Sequence, residues 1–311
     1  MSFLFYLPAI FMGWALGSND AANVFGTAVA NFLVRYRTAV IISSIFVVLG
    51  AVLQGYRGIG TISSLSSQSL VSASISMLGA AISVTIFSRL GIPVSTSQAV
   101  VGSIIGTGLI DGYVNWGVLV KVVICWVATP IGAMVIGYFS YRFFSVLFRK
   151  IPTIQAQDLT IKIAALVFGA YGSYALGANN VANVSGVFGA FMDPRLAALI
   201  GGLSISFGII TYSYRVMMTV GKGIAELDHF SAVIAVFAES LTVWIFALVG
   251  VPVSTSQAVV GGVLGAGLAR STPVVNRKAV WRVVFGWLGT PAIAAGVSVP
   301  LYLLMRAMMP T

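Results

Sequence analysis

Two amides and a carboxylate stand within five residues of one another in an otherwise apolar stretch. The segment GSNDAAN begins at Gly17 and holds Asn19, Asp20 and Asn23. On a helix, Asn19 and Asn23 share a face, with Asp20 beside them. Amide and carboxylate oxygens suit a hard cation such as Na⁺, and Gly17 and Gly26 would allow local unwinding that frees backbone carbonyls for the same ion. The alternative is a set of hydrogen bonds that only pack helices together.

A second polar segment occurs twice and is rich in hydroxyl groups. GIPVSTSQ begins at Gly91 and GVPVSTSQ at Gly250. Proline disfavours helical conformation in the residue before it, so we expect a helix to begin near Ser95 and another near Ser254. The first turn of a helix has unpaired N–H groups and a positive dipole end, which suit a tetrahedral oxyanion. Alternatively, the hydroxyls only cap a helix or bond a neighbouring one. The hydroxyl donors are Ser95, Thr96, Ser97, Ser254, Thr255 and Ser256.

These polar segments lie in a chain that is 59% hydrophobic and only 8% charged, whereas ordinary soluble domains are roughly 25% charged. So much apolar surface does not fit into one water-facing core, and apolar runs of about 18–28 residues predict membrane-spanning helices. The net charge of +10 comes from basic residues scattered over the loops, which argues against nucleic-acid binding. One cysteine, Cys125, and one histidine, His229, exclude an intrachain disulfide and a three-ligand zinc site.

The two halves of the chain are related by an internal duplication. Residues 13–31 match residues 173–191 at nine of nineteen positions. Residues 91–110 match residues 250–269 at fourteen of twenty. Because both polar segments recur in the same order and at nearly the same spacing, chance similarity between apolar helices does not explain the match.

We predict five apolar segments in each half. They cover residues 3–30, 38–55, 66–88, 93–110, 115–141, 162–190, 196–214, 230–249, 252–269 and 280–304. The longest polar interval lies between the halves. The predicted organisation is therefore an N-terminal repeat at 1–141, a cytoplasmic linker at 142–161 and a C-terminal repeat at 162–311.

The basic residues predict how the repeats are oriented. With five crossings per half and both termini outside, thirteen of the 17 Lys and Arg residues fall on the cytoplasmic side and four outside. An odd number of crossings inverts the second repeat relative to the first. We predict an all-α polytopic protein of the cell (plasma) membrane, with two inverted-topology repeats of about five helical segments each and broken or re-entrant helices at the polar segments. Whether those segments cross fully or re-enter stays open at this point.

One further acidic residue falls inside a predicted span. Glu239 lies in segment 230–249, and its repeat equivalent is Ala80. An ionisable side chain at the centre of a span costs about 2.5–3.5 kcal/mol on insertion scales, which indicates a functional role for Asp20 and Glu239. A buried structural acid is the alternative for Glu239. Three GxxxG pairs predict close helix packing and no ligand, namely Gly13/Gly17, Gly102/Gly106 and Gly261/Gly265.

These segments resemble the inorganic phosphate transporter (PiT) family. The resemblance rests on GSNDAAN, on its repeat GANNVAN at 177–183, on the two G(I/V)PVSTSQ segments and on TVGKGI at 219–224, and it covers nearly the whole chain. It implies a sodium- or proton-coupled phosphate permease without a cofactor, in which both kinds of segment meet at a central site. It also implies a homodimer.

The resemblance assigns roles to individual residues. The phosphate-binding set would be Asn23, Ser95, Thr96, Ser97, Gln98, Asn183, Ser254, Thr255, Ser256 and Gln257. With Glu239 added, the cation-binding set would be Asn19, Asp20, Asn179, Asn180 and Glu239, with Asp20 as the ligand of Na⁺. The family usually has Asp where this chain has Asn180, so one carboxylate is missing. That departure predicts fewer coupling cations or a different ion, and it leaves sulfate or another tetrahedral oxyanion open as the substrate.

We expect phosphate import by alternating access, in which a cation at Asp20 offsets the charge of the anion and the halves rock around a fixed site. Cation and anion would then each raise the affinity for the other. An anion channel would not need Asp20, whose charge hinders anion passage. An intramembrane serine hydrolase would need a base within reach, and the single histidine, His229, is expected in a loop. The expected partners are phosphate, Na⁺ or H⁺, and the lipid bilayer.

Overall fold

The computed structural model describes residues 2–89, 94–223, 227–270 and 277–308, and these residues form helices joined by short connections. After a 3-10 turn at Ser2–Tyr6, the first half comprises α1 (Leu7–Ala30), α2 (Tyr36–Gln54), α3 (Tyr56–Ser63), α4 (Leu70–Arg89), α5 (Thr96–Ile110) and α6 (Trp116–Phe148). The second half comprises α7 (Ile154–Asn180), α8 (Ala182–Ser185), a 3-10 turn at Gly186–Phe188, α9 (Pro194–Gly223), α10 (His229–Val249), α11 (Thr255–Arg270) and α12 (Arg277–Met308). Pro93, used above to predict a helix start, and Ile224 of the TVGKGI segment lie outside the described residues.

Within the described ranges, seven helices are long and apolar enough to cross a membrane. They are Tyr36–Gln54, Leu70–Arg89, Trp116–Phe148, Ile154–Phe188, Pro194–Met218, His229–Val249 and Phe285–Met308. The predicted all-helical polytopic membrane architecture is therefore confirmed. The helices α5 and α11 have 15 and 16 residues. At about 1.5 Å per residue they are about 22–24 Å long, shorter than the roughly 30 Å of a bilayer core.

The packing of the helices repeats between the halves. By position in the duplication, α1 corresponds to α7, α2 to α9, α5 to α11 and α6 to α12. The helix α1 packs on α9, and α7 packs on α2. In the same way α6 packs on α11, and α12 packs on α5. The α1–α9 and α2–α7 contacts pack each half onto the other at the centre. The inversion of one repeat across the membrane stays a prediction.

Glycines bring these helix pairs into backbone contact. A methyl group added at Gly17 would meet the backbone carbonyl of Ile205 in α9, and one at Gly261 would meet that of Pro130 in α6. The equivalent positions behave alike, because a methyl at Gly177 would meet Val47 O and one at Gly102 would meet Pro291 O. The close packing predicted from the GxxxG pairs is thus confirmed, since Gly13, Gly106 and Gly265 are also tightly packed.

Three features differ from the predicted segments. The short helix α3 was not predicted. Its mixed sequence, with Arg57 and two glycines, lacks a long apolar run. The second difference is the end of α6, which apolar residues continue as far as Phe148. The third is the start of α7, which is capped by the Thr153 hydroxyl, the acceptor of a hydrogen bond from Ala156 N–H. Only residues 149–153 of the predicted linker therefore separate the two helices.

The local unwinding predicted at Gly17 and Gly26 is wrong, because α1 is continuous from Leu7 to Ala30. Close packing against Ile205 accounts for Gly17 instead. In the second copy the helix does break, at Val181, directly after Asn180.

Candidate functional site

The N-termini of α5 and α11 lie at the centre of the protein, next to α1 and the C-terminal end of α7. The Ser95 hydroxyl accepts a hydrogen bond from Gln98 N–H at 3.3 Å, and the Ser254 hydroxyl accepts one from Gln257 N–H at 3.3 Å. The predicted helix starts are therefore confirmed, with Ser95 and Ser254 acting as N-caps. Their positive helix ends are directed into a buried site rather than toward solvent.

Asp20 connects the two kinds of polar segment. Its side chain is only 1% exposed. The carboxylate oxygen Oδ2 accepts a hydrogen bond from the Thr96 hydroxyl at 2.8 Å and another from the Asn180 amide at 3.3 Å. The donors come from the first turn of α5 and from the residue of the second repeat that is equivalent to Asp20. The side chains that hydrogen-bond this buried carboxylate are neutral, and it lacks a charged partner among the described residues, which favours a cation as its missing counterion.

Side chains of each repeat reach the polar segments of the other. The Asn23 amide of α1 donates to the Thr255 hydroxyl at 3.0 Å. The equivalent Asn183 amide of α8 donates to the Ser97 hydroxyl at 2.7 Å. The site is therefore closed by contacts between the halves, so movement of one half against the other would change it.

The hydroxyls of the two helix starts also exchange hydrogen bonds with the opposite extended segment. Ser97 donates to the carbonyl of Val253 at 2.9 Å, and Ser256 donates to the carbonyl of Val94 at 3.4 Å. Ser254 and Ser256 share a hydrogen bond of 2.8 Å. These contacts follow the internal duplication, because Ser97 and Ser256 are equivalent, as are Val94 and Val253.

Both polar groups of the Asn179 side chain are already hydrogen-bonded to the backbone. Its amide group donates to Val251 O at 3.0 Å, and its carbonyl accepts from Val253 N–H at 2.7 Å. Both groups of the side chain are used to hold the extended segment before α11. Asn19 is directed elsewhere, since its amide donates to the Ser88 hydroxyl of α4 at 2.7 Å. We therefore assign Asn179 to support of the site, while Asn19 lies at its edge.

Several buried oxygens around the site accept no hydrogen bond within the described part of the chain. They are Asp20 Oδ1, Gln98 Oε1, Asn180 Oδ1, Asn183 Oδ1 and Gln257 Oε1. All are carboxylate or amide oxygens, which are acceptors of hydrogen bonds or ligands of cations. Buried acceptors are rarely left unsatisfied in proteins, so this group indicates a place for a cation or for a ligand that carries hydrogen-bond donors. A set of carboxylate and amide oxygens is the kind of ligand set that fits Na⁺.

Glu239 lies beside this group rather than within it. The side chain is fully buried, and its Oε2 accepts a hydrogen bond from Ser240 at 3.1 Å. A methyl group added at Gly172 of α7 would lie 2.9 Å from Val24 Cγ1 and 3.5 Å from Glu239 Oε2. Glu239 thus packs where α10 meets α7 and the turn of α1 that follows Asp20. Its second oxygen, Oε1, is also buried without a hydrogen-bond partner in the described ranges.

Sequence reasoning missed the backbone part of the site. The carbonyls of Val94 and Val253 accept the hydroxyl hydrogen bonds, and Ser88 holds Asn19. A signal for the carbonyls was present, since each valine follows a proline and precedes a helix cap. Ser88 carried no signal, because serines recur along α4 without a fixed spacing.

A buried, charged site formed where helices of two membrane-embedded repeats meet is typical of secondary transporters. Residues 16–298 match the Phosphate transporter family, so the chain belongs to that family. This is a family of transporters and not of enzymes.

Relatives of known description match this chain over more than nine tenths of its length. The chain is 30% identical to a protein named "Putative phosphate permease" from Pyrococcus furiosus, covering 92% of this chain and 91% of the relative. It is 32% identical to a protein of the same description from Methanocaldococcus jannaschii, covering 92% of each. A sulfate permease of Bacillus subtilis, CysP, is 27% identical and covers 94% of this chain and 84% of its own length.

A solved structure has the same fold. The structure described as the sodium-dependent phosphate transporter superposes with a TM-score of 0.91, at 23% identity, over 99% of each chain. At that identity the match concerns the fold and carries no assignment of single residues.

Proposed function

We propose that this protein imports inorganic phosphate through the cell membrane by symport with Na⁺, with H⁺ as the other candidate coupling ion. The observation that carries the proposal is the pairing of two neighbouring helix N-termini with a buried carboxylate and four amide oxygens that accept no hydrogen bond from the described residues. The helix ends and hydroxyls supply donors for the anion, and the oxygens supply ligands for the cation. The name of the structural neighbour supports the choice of Na⁺.

In this mechanism the cation binds first. A lone Asp20 repels an incoming anion, so occupation of the oxygens around it by a cation removes that repulsion. The anion then binds between the helix starts at Thr96 and Thr255, where hydroxyl groups and backbone N–H groups donate to it. The hydroxyl contacts to Val94 and Val253 join opposite halves, so their exchange would accompany the rocking of one repeat against the other.

Phosphate is favoured over sulfate by its hydrogen-bonding capacity. Near neutral pH phosphate has at least one protonated oxygen, whereas sulfate has none. Asp20 Oδ1 is buried and accepts no hydrogen bond from the described residues. A carboxylate oxygen has two lone pairs, so Asp20 Oδ1 can contact the cation and also accept a hydrogen bond from the protonated oxygen of phosphate. The relative described as a sulfate permease keeps sulfate as the second candidate substrate. The proposal includes a homodimer with both termini of each chain outside.

Radiolabelled phosphate uptake into proteoliposomes tests the proposal. The wild-type chain and Asp20→Asn are compared with and without an inward Na⁺ gradient, and excess sulfate is added as competitor. We expect accumulation above equilibrium that requires Na⁺, resists sulfate and is lost in Asp20→Asn. Replacing the Na⁺ gradient by a proton gradient distinguishes the two coupling ions. Accumulation of sulfate would establish the second candidate, and purely downhill flux would refute coupled transport.

A further inference from the structure

A cavity lined by none of the polar side chains assigned above lies where the two repeats are joined in sequence. It has a volume of about 260 Å³, is partly open, and is lined by the C-terminal turns of α6, by α7 from Thr160 to Phe168 and by the start of α10. Four phenylalanines form much of its wall, Phe144, Phe148, Phe168 and Phe230. The rings of Phe148 and Phe230 have centroids 4.8 Å apart, and those of Phe144 and Phe168 are 6.0 Å apart. The wall is therefore apolar and closely packed.

We call this cavity the slot, because its lining residues follow one another along the helices. On α7 its lining extends from Thr160 to Phe168, which corresponds to about 12 Å along the helix axis. One end is at Ile151, in the connection where the chain passes from α6 to α7. The other end lies among apolar side chains of the spanning helices. Such a slot fits a single hydrocarbon chain that enters from the membrane surface.

Basic side chains stand at the surface end of the slot. Arg149 and Lys150 directly follow the lining residue Phe148 and directly precede the lining residue Ile151, and both are exposed. Arg149 and Lys150 form no ion pair with the described part of the chain. Two acids of this region within the described residues are already paired, because Asp158 binds Lys162 at 2.7 Å and Asp228 binds Arg270 at 2.6 Å.

Asp158 and Asp228 therefore do not neutralise Arg149 and Lys150. Burial alone would raise the pKa of Asp228, but hydrogen bonds from Ser231 and the charge of Arg270 hold it below its usual value. Asp228 thus stays charged and bound to Arg270 at neutral pH. Positive charge next to an apolar slot is complementary to one type of membrane component, an anionic phospholipid.

We propose that the slot is a binding site for an anionic phospholipid, with one acyl chain between the phenylalanines and the headgroup phosphate on Arg149 and Lys150. A hydrocarbon chain gains about 0.8 kcal/mol for each methylene group that it buries, but in a bilayer the lipid tails are already in an apolar medium. Selectivity therefore comes from the headgroup, and the slot determines where the lipid sits. This lipid site is independent of the proposed transport function.

Native mass spectrometry of the full-length protein in detergent tests the proposal, with phosphatidylglycerol and phosphatidylcholine of identical acyl chains as probes. We expect one phosphatidylglycerol to be retained at least about tenfold more strongly than phosphatidylcholine. Arg149→Gln with Lys150→Gln should abolish this preference. The matched control is Arg35→Gln with Arg37→Gln, which removes the same charge from the exposed start of α2. Equal retention of the two lipids, or a preference that survives the loss of Arg149 and Lys150, would overturn the proposal.

The slot itself is tested by filling it. Ala164→Phe places a ring in the cavity, whereas Ile163→Phe places one on the neighbouring exposed position that faces away from it. Retention of phosphatidylglycerol should fall in Ala164→Phe and stay unchanged in Ile163→Phe. Excess inorganic phosphate should not displace the lipid. Displacement by inorganic phosphate would assign the basic pair to free phosphate, and that result would also refute the lipid site.

Discussion

At the scale of single residues, the Thr96 hydroxyl links the carboxylate to the helix start that faces it. It donates to Asp20 Oδ2 at 2.8 Å, so it holds one carboxylate oxygen while the other stays without a partner. The hydroxyl thereby orients the oxygen that we assign to the cation. Its equivalent Thr255 accepts a hydrogen bond from the Asn23 amide at 3.0 Å. Both threonine hydroxyls lie against Asp20, and Thr255 is in addition held by Asn23.

We predict that Thr96→Val lowers the Na⁺-driven uptake of phosphate by about tenfold or more, because a hydrogen bond to a charged group contributes about 1.5–3 kcal/mol. Thr96→Ser should keep most of the activity, since it retains the donor. The control is Thr85→Val in α4, where the hydroxyl is buried and makes no hydrogen bond in the described structure. Initial uptake rates at varied Na⁺ concentrations measure the effect, and equal rates for the two valine variants would contradict the assigned contact.

Asn180 predicts a second change at this scale. Its amide lies 3.3 Å from Asp20 Oδ2, so Asn180→Asp would place two carboxylates in contact in a buried site. Two such groups do not both stay charged without an added cation or proton. We predict that uptake by the variant depends more steeply on Na⁺ concentration and more strongly on pH. Asn31→Asp makes the same chemical change at an exposed position and should leave both profiles unchanged. Identical profiles for the two variants would show that position 180 does not influence coupling.

The side chains of the site could be predicted from sequence, whereas their partners could not. Asn, Asp, Ser and Thr stand out in apolar helices, and the duplication shows that their positions are not accidental. The carbonyls of Val94 and Val253 and the hydroxyl of Ser88 depend on how the chain is traced through space, which residue type alone does not encode. For the same reason Asn179 was predicted as a cation ligand. In the structure its side chain instead forms two hydrogen bonds with the backbone of residues 251–253.

At the scale of helices, the site depends on packing that leaves no room for a methyl group. Gly261 of α11 lies against the carbonyl of Pro130 in α6, and backbone atoms cannot move aside as a flexible side chain does. This contact sets the position of α11, whose first turn carries Thr255 and Ser256. The equivalent Gly102 sets α5 against Pro291 in α12. Proline at both contacts reflects the duplication.

Gly261→Ala should therefore destabilise the protein, although alanine favours a helix over glycine by about 1 kcal/mol. Overpacking costs about 1–3 kcal/mol, which exceeds that gain where the obstacle is backbone. Gly296→Ala in α12 is the matched control, because a methyl group there meets no atom of the described residues within 4 Å. Thermal unfolding in detergent should give a lower midpoint for Gly261→Ala and an equal or higher one for Gly296→Ala. An increase for both would mean that α11 and α6 have room to separate.

The ends and breaks of helices were less predictable than their existence. Long apolar runs predict the spanning helices because the bilayer requires both length and apolar composition. The helix α3 is short and mixed, so it gives no such signal. The continuity of α1 and the break after Asn180 occur in similar sequences, so the difference must arise from packing around each copy. The sequence of one helix does not show which other helices pack against it.

At the scale of the whole molecule, the helices of one repeat pack on those of the other in equivalent pairs. This packing between repeats places Asp20 of the first repeat against Asn180 of the second, and Asn23 against α11. A site built in this way cannot open on one side without altering contacts between repeats, which is what alternating access requires. The duplication and the packing pairs do not by themselves give the direction of each repeat across the membrane. That direction was predicted from the charge of the loops.

Labelling of equivalent positions from the two sides of the membrane tests the predicted inversion. Asn31 and Phe191 are equivalent in the duplication, and both side chains are exposed at the end of their segments. In a Cys125→Ser background we introduce Asn31→Cys or Phe191→Cys and treat intact cells with a membrane-impermeant maleimide. If the repeats are inverted and the N-terminus is outside, Phe191→Cys reacts in intact cells and Asn31→Cys reacts only after the membrane is opened. Reaction of both from the same side would mean parallel repeats. In that case the two helix starts could not approach the site from opposite faces of the membrane, and the rocking mechanism would need a different axis.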